Sequence, residues 1–148
     1  MEKILKCFTI IAFGCMFYGT AEVLGRGYSH ITMGALGGVA FLVIHELCGE
    51  ILAGRLRPIE AMLISTMFIT SSELLAGEIL NRYLGMKIWN YSTLPLNFDG
   101  QICPIFSVMW FMLSLFGIFA DKGIRRYIFC EAAAMAEKQQ AAADTSVA

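Results

Sequence analysis

Charged residues are scarce in this sequence. Only 16% of its 148 residues are Asp, Glu, Lys or Arg, against about 25% in an ordinary soluble domain, while 57% are hydrophobic. The net charge is −1 and no basic patch is present to neutralise phosphates, which excludes a nucleic-acid partner. The five cysteines form no CxxC pair and show no zinc-like spacing, so we predict no metal site and no cofactor. The phosphate-loop pattern GxxxxGK[ST] is also absent, so the chain cannot bind and hydrolyse ATP by that loop.

Long apolar runs account for the missing charge. A bilayer-spanning helix needs roughly 20 consecutive apolar residues, and the sequence contains four such runs. They predict an all-α membrane protein whose four transmembrane helices form one bundle within residues 1–130. Residues 131–148 form an Ala-rich tail, predicted to be either disordered or helical, and no repeat or second domain is visible. The predicted spans are Ile4–Leu24, Ile31–Leu52, Ile59–Leu80 and Ile102–Ala120.

The first apolar run has an alternative interpretation. The stretch MEKILKCFTIIAFGCMFYGTA has two early lysines, an apolar centre and small residues at Thr20 and Ala21, which is also typical of a cleaved signal peptide. We favour a membrane span, because three further spans follow and the apolar run continues past the possible cleavage point.

The distribution of Lys and Arg predicts the orientation. Eight of these residues fall in the N-terminus, the second connection and the C-terminal tail, and three fall in the other two connections. Because positive loops stay in the cytoplasm, both termini are predicted to be cytoplasmic. The polar loop between the third and fourth spans is then extracytoplasmic.

Each span carries a stripe of small or polar residues at helical spacing, which predicts faces that point into the bundle. In the first span the stripe consists of Gly14, Tyr18, Glu22 and Gly25. For Gly and Ser the simplest interpretation is close helix packing, as at Gly34 and Gly38. Two carboxylates, Glu22 and Glu73, lie on these stripes, although a charge at mid-membrane costs roughly 2.5–3.5 kcal/mol. Each of these carboxylates must therefore be paired with a cation, be protonated or take part in the protein's function.

Potential partners for these carboxylates lie nearby in the sequence. Glu22 has Arg26 one turn later and His30 one turn beyond that, so a purely structural Glu22–Arg26 pair is one interpretation. Glu73 has no basic neighbour in its own helix and must find a partner across the bundle or stay neutral. His45, towards the other end of the second span, is interpreted as a polar anchor.

The stretch KIWNYSTLPLNFDGQICP, residues 87–104, is rich in groups that hydrogen-bond or stack. Pro95 and Gly100 predict a turn within it, and Pro104 suits the first turn of the fourth helix. Aromatic residues that anchor a span at the membrane interface are common at this depth. Two carboxamides, an Asp, a Gln and two rings are more than such anchoring requires. We interpret the loop as a polar vestibule or lid above Glu22 and Glu73. The predicted substrate-binding or pathway residues are Glu22, Arg26, His30, Glu73, Asn81, Trp89, Asn90, Tyr91, Asn97, Gln101 and Trp110, and no catalytic residue is assigned.

Three segments resemble one bacterial membrane family, described as "putative ABC-transporter type IV". They are EVLGRGYSHITMGALGGVAFLVI (22–44), SSELLAGEILN (71–81) and IWNYSTLPLNFDGQICPIFSVMW (88–110). Ile31 stands where that family commonly has Trp, and Asn90 where it commonly has Asp. The resemblance implies a multi-pass protein of the bacterial cytoplasmic membrane, of a family described as permeases. Any ATPase would have to be a separate chain, docking at the cytoplasmic connection near Arg55 and Arg57.

Three functions remain open from the sequence. The first is a permease-like transporter or small-molecule-binding protein whose outward-facing polar pocket is gated by the loop. The second is an intramembrane enzyme acting on a lipid head group, with Glu73 or His30 as general base. The third is a non-catalytic membrane subunit or regulator. Absence of a phosphate loop, catalytic triad and metal motif argues against an enzyme, and the expected partners are membrane lipids, a second copy of the chain and a separate ATPase chain.

Overall fold

Four helices long and apolar enough to cross a membrane dominate the computed structural model, which describes residues 2–131. The side chains of Glu2 and Arg26 and the predicted tail from residue 132 onwards lie outside that description. Within residues 2–131 there is no strand, and a single isolated bridge joins Phe98 to Ile102. The helices are α1 (Glu2–Arg26), α2 (Ile31–Leu52), α3 (Pro58–Ala76), which continues as a π-helical segment (Gly77–Tyr83), and α4 (Pro104–Tyr127).

The prediction of an all-helical protein with four candidate membrane spans is confirmed, with two shifts of boundary. The third span continues through the π-helical segment to Tyr83, and the fourth runs past the predicted end at Ala120 to Tyr127. Pro104 opens α4 as expected, because a missing N–H costs nothing in the first turn of a helix. The candidate spans comprise 23, 22, 26 and 24 residues, enough for each to cross the hydrocarbon layer.

Close packing of α1 on α2 depends on three glycines. A Cβ placed on Gly14 would overlap backbone atoms of Gly37 and Gly38, and a Cβ on Gly38 would lie 2.8 Å from Cys15 Sγ. The predicted close approach therefore occurs at Gly38, whereas the nearest atom to a Cβ on Gly34 is 3.9 Å away, at ordinary contact distance. Small residues at such positions let the backbones of membrane helices approach each other.

The remaining helices pack around α2. Helix α2 contacts α3 and α4, and α3 contacts α4, but within residues 2–131 the backbones of α1 and α4 make no contact. The apolar core between α2, α3 and α4 lies towards the end of the bundle at which α1 begins and α4 ends, here called the terminal end. It consists of Ile44, Cys48, Ala61, Met62 and Ile118. A gap is left between α1 and α4.

The opposite end of the bundle is covered by residues 84–103, here called the loop segment. Its conformation is held by side chains that bond to its own backbone. The Asn81 side chain accepts from Ile88 N at 2.7 Å and donates to Trp89 O at 3.1 Å, and the Trp89 indole donates to Gln101 O at 3.0 Å. The loop segment is therefore a folded cap on what we call the loop end of the bundle.

Candidate functional site

A cleft of about 740 Å³ fills the gap between α1 and α4, with α2 as its floor. Its loop end is closed by residues Trp89–Tyr91, and its terminal end reaches Ala120 on α4. Most of the lining is apolar or aromatic, and the few polar groups lie at the loop end. Four residues at helical spacing line its α1 wall, as the sequence stripe predicted: Gly14, Tyr18, Glu22 and Gly25.

Glu22 is the predicted carboxylate that lies in the cleft. It accepts a hydrogen bond from the Ser29 hydroxyl at 2.6 Å, in the turn that follows α1. The expected Glu22–Arg26 pair falls on a side chain outside the described part of the structure. A carboxylate offers about four acceptor positions, so it can accept from more than one donor at once.

One aromatic contact crosses the cleft. The rings of Tyr18 on α1 and Trp110 on α4 are stacked, with centroids 5.6 Å apart and planes inclined by 21°. The pair lies where the lining changes, because Glu22 and Asn90 are on the loop side of it and the lining towards Ala120 is almost entirely apolar. Offset stacks of this kind contribute about 0.5–1.5 kcal/mol beyond the area they bury.

Glu73 lies behind Trp110, in the interface of α3 and α4, and is not part of the cleft lining. Its side chain is only 1% exposed, and Trp110 Nε1 donates to Glu73 Oε2 at 2.7 Å. Tyr91 also interacts with this carboxylate, and Oε1 has no hydrogen-bond partner among the described residues. Glu73 therefore fixes the indole that lines the cleft.

Most of the predicted polar residues of the loop bond within the loop segment. Gln101 Nε2 donates to Asp99 O at 3.0 Å, and Asn97 donates to Leu94 O at 2.7 Å and accepts from Gly100 N at 3.0 Å. Gln101 Oε1 also accepts from Asn81 Nδ2, in the π-helical segment, at 2.9 Å. These bonds shape the turn that the sequence marked with Pro95 and Gly100. The amides of Gln101 and Asn97 thus act as supports of the backbone.

Three other predicted residues have different environments. Asn90 lines the cleft, and its Oδ1 accepts from Ser92 N at 2.8 Å. Tyr91 also lines the cleft and stacks on Phe106 with centroids 4.4 Å apart. His30 caps the N-terminus of α2 through a bond from Thr32 N at 3.3 Å and does not line the cleft. The structure thus brings Glu22, Trp89, Asn90, Tyr91 and Trp110 together around one cavity.

The structure also contains a buried charged network that sequence reasoning missed. His45 Nδ1 lies 2.5 Å from Asp121 Oδ1, and Asp121 is fully buried. Arg125 Nε donates to Asp121 Oδ2 at 2.7 Å, and its Nη2 donates to His45 O at 2.6 Å. His45 and Asp121 are 76 positions apart in the chain, so the anchor predicted for His45 had no identifiable partner in the sequence.

Two more side chains extend this network to the start of α1 and to the residues just after α4. Glu131 accepts from Arg125 Nη1 at 2.8 Å and from Lys6 Nζ at 2.9 Å. Burial alone would raise the pKa of Glu131, but hydrogen bonds from Lys6 and Arg125 hold that pKa below its usual value. The first turns of α1 are therefore tied to the residues just after α4, at the opposite end of the molecule from the loop segment.

The geometry defines a class: a multi-pass helical membrane protein with a lateral cleft between its first and last spans. The chain belongs to the family described as "Putative ABC-transporter type IV", whose sequence model matches residues 10–136. This match confirms the family resemblance and supports a transport-related membrane protein. Neither the comparison with curated proteins nor the comparison with solved structures gave a significant match.

Proposed function

We propose that this chain is a permease-like membrane subunit that binds a small molecule in the cleft between α1, α2 and α4. The cleft itself carries the proposal. Ligand sites in proteins typically measure about 300–1,000 Å³, are lined mainly by apolar and aromatic side chains and carry a few convergent polar groups. A volume of about 740 Å³ with Glu22 and Asn90 at one end matches each of these features.

In this proposal the cleft replaces the wholly polar pocket expected from the sequence. Glu22, Asn90 and Tyr91 would contact the ligand, and Trp89 would close the loop end above it. Glu73, Asn81, Asn97 and Gln101 would support the walls. The excess of Lys and Arg at the terminal end would hold that end in the cytoplasm, which would make the loop end extracytoplasmic.

A separate ATPase chain is proposed as a partner, and its docking site would be the short connection between α2 and α3. The family description supports this partner, as does the absence of a phosphate loop from the sequence. Arg55 and Arg57 in this connection are exposed, and each bonds a nearby carboxylate, Glu50 and Glu60 respectively. A second copy of the chain is a further possible partner, since four spans are few for a translocation path.

The test is native mass spectrometry of the intact assembly, purified in mild detergent. We expect a discrete small-molecule adduct, and a stoichiometric ATPase chain if the ABC assembly is correct. Ala21→Trp would fill the loop end of the cleft and should remove the adduct, whereas Ala12→Trp should keep it. Both alanines are exposed on α1, but only Ala21 lines the cleft. Absence of any adduct from the wild-type protein, or its equal retention by both variants, would contradict binding in the cleft.

One observation favours a second candidate, a membrane subunit whose cleft receives a helix of a partner protein. The cleft is open along the side of the bundle because, within residues 2–131, the backbones of α1 and α4 make no contact. The same measurement separates the two functions, since this candidate predicts a co-purifying polypeptide that Ala21→Trp displaces and no small adduct.

A further inference from the structure

We propose that the ligand of the cleft is a single-chain amphiphile taken from the bilayer. Its polar head would lie at Glu22 and its hydrocarbon chain between α1 and α4. This inference rests on the proposed function and specifies the chemical class of its ligand. It is carried by the polarity of the cleft along its length, by its side opening and by its dimensions.

The polarity of the lining changes once along the cleft. The polar lining residues Glu22, Asn90, Tyr18 and Tyr28 are all in the half of the cleft nearer the loop end. Towards the terminal end the lining is apolar, and the one hydroxyl there, Ser114, is already donated to Trp110 O at 2.8 Å. A ligand polar along its whole length would leave its polar groups unpaired in this half, at about 1–3 kcal/mol for each group. A molecule with one polar end would leave no polar group unpaired in this half.

The cleft is accessible from the side of the bundle. Phe17 on α1 and Phe116 on α4 both line it, yet they are 55% and 67% exposed along the membrane-spanning part of the chain. A ligand dissolved in the bilayer could therefore enter between α1 and α4 without crossing the loop segment. A site for a water-soluble molecule would need its opening at an end of the bundle instead.

The length of the cleft suits one hydrocarbon chain. From Phe106 to Ala120, the lining of α4 rises about 21 Å at about 1.5 Å per residue. One leaflet of the hydrocarbon core is about 15 Å thick, half of the roughly 30 Å total. The cleft therefore accommodates the chain of a lipid from one leaflet together with part of its head group.

Glu22 selects the chemistry of the head. A carboxylate only accepts hydrogen bonds, so the head must donate them, as a hydroxyl or an amine does. The rings of Tyr18, Tyr28 and Trp89 surround this end of the cleft. Aromatic faces attract an ammonium group more strongly than a neutral head, so a long-chain amine is the preferred probe.

The two tryptophans make a direct test possible. Trp89 and Trp110 are the only tryptophans of the chain, both line the cleft, and they are 6% and 7% exposed. A bromine atom quenches indole fluorescence only on close approach, so bulk lipid should quench them little. We would titrate the full-length protein, in bromine-free detergent, with a long-chain amine brominated on its chain. The expected result is saturable quenching, at least tenfold weaker for a short-chain amine of the same head group.

Variants locate the bound probe. Ala120→Phe should fill the terminal end and weaken binding of the long-chain amine at least fivefold, and Leu113→Phe provides a second lining variant if the first does not fold. Ala12→Phe, exposed on α1 and outside the lining, should bind as the wild type does. Glu22→Gln should weaken binding of the amine more than binding of an alcohol of the same chain length, because the attraction to a cation is lost.

Failure of this inference and failure of the proposed function give different results. If the native adduct is a water-soluble molecule, or if short-chain and long-chain amines bind alike, the amphiphile is wrong and binding in the cleft stands. If quenching saturates equally in both lining variants, the probe binds elsewhere and the inference is wrong. If the wild type retains no adduct and quenching never saturates, both the inference and the proposed function are wrong.

Discussion

The bond between Trp110 and Glu73 links the interior of the α3–α4 interface to the wall of the cleft. When a buried carboxylate loses its hydrogen-bond donor, its full desolvation penalty is no longer offset. Glu73 accepts from the Trp110 indole at 2.7 Å and also interacts with Tyr91, and its second oxygen has no hydrogen-bond partner among the described residues. The position of Trp110 is therefore energetically coupled to a group that does not line the cleft.

Trp110→Phe removes this donor while keeping an aromatic ring. We expect the free energy of unfolding in mixed micelles to fall by about 1–3 kcal/mol through the unpaired carboxylate, apart from lost packing. The same change in a Glu73→Leu background should be less destabilising, because no carboxylate is left unpaired. Equal losses in the two backgrounds would show that the hydrogen bond contributes nothing, and this double-mutant cycle separates the bond from the packing.

Asp121→Asn tests the network at the terminal end. Asp121 is fully buried between His45 and Arg125. Breaking a buried ion pair by removing one partner costs about 3–5 kcal/mol, because the remaining charge stays buried. As a matched control, Asp99→Asn breaks an exposed pair with Arg82 at 3.3 Å, for which we expect about 0–1 kcal/mol. Similar losses for the two variants in the same unfolding assay would argue against a structural role for the buried network.

At the scale of single elements, the π-helical segment brings Gly77 against the side chain of Gln101. A Cβ on Gly77 would overlap Gln101 Oε1, so Gly77→Ala must displace the residue that accepts from Asn81 and Trp89. We expect the change to destabilise the loop segment by about 1–3 kcal/mol, as overpacking commonly does. Faster proteolysis within residues 84–103 and altered Trp89 fluorescence would report it.

Gly123→Ala is the matched control for this change. Gly123 lies in α4, and a Cβ there would meet nothing within 4 Å. Alanine should therefore be neutral or stabilise the helix by up to about 1 kcal/mol through its higher helix propensity. If both glycine variants behaved alike, contact with Gln101 would not be the reason for glycine at position 77.

The contact between α1 and the residues after α4 should respond to pH. The pKa of Glu131 is lowered in the folded protein by Lys6 and Arg125, so its contribution to stability is present above its unfolded pKa and is lost as pH falls through the folded pKa. Wild type should exceed Glu131→Gln in stability at neutral pH, and the difference should disappear in acid. Thermal unfolding across that range measures it, and a difference independent of pH would contradict the ion pairs.

The sequence predicts the helices well because apolar length is a local property. Each run of about 20 apolar residues can satisfy its backbone within a membrane only as a helix, so four helices followed without knowledge of their packing. Helical spacing also indicated which face of α1 points inwards, since Gly14, Tyr18, Glu22 and Gly25 all line the cleft. The extension of the third helix through a π-helical segment was not predicted.

The candidate site was less predictable, because it depends on which helices touch. The sequence placed Glu22 and Glu73 in one pocket, but they differ in setting, since Glu73 lies in the α3–α4 interface and Glu22 in the cleft. Two loops of the same polar composition can differ, because their side chains can bind a ligand in one and bond to one another in the other. Only the fold shows that Asn97 and Gln101 bond to the loop backbone.

At the scale of the whole molecule, the proposed function requires the loop end to face the outside. The distribution of Lys and Arg predicts this orientation, and two positions at opposite ends can test it. Cys130 is exposed at the terminal end, and Thr93 is exposed in the loop segment. Of the native thiols, Cys48 and Cys103 are buried, which limits their background labelling.

Thr93→Cys, made in a background with Cys7 and Cys130 replaced by Ser, should react with a membrane-impermeant maleimide on intact cells. A matched protein that keeps Cys130 as its exposed thiol, with Cys7 replaced by Ser, should react only after the membrane is permeabilised. The two proteins thus differ in which end of the bundle carries the exposed thiol. The reverse pattern would place the loop end in the cytoplasm, so that a ligand bound at Glu22 would lie in the inner leaflet and any ATPase could not dock beside Arg55 and Arg57.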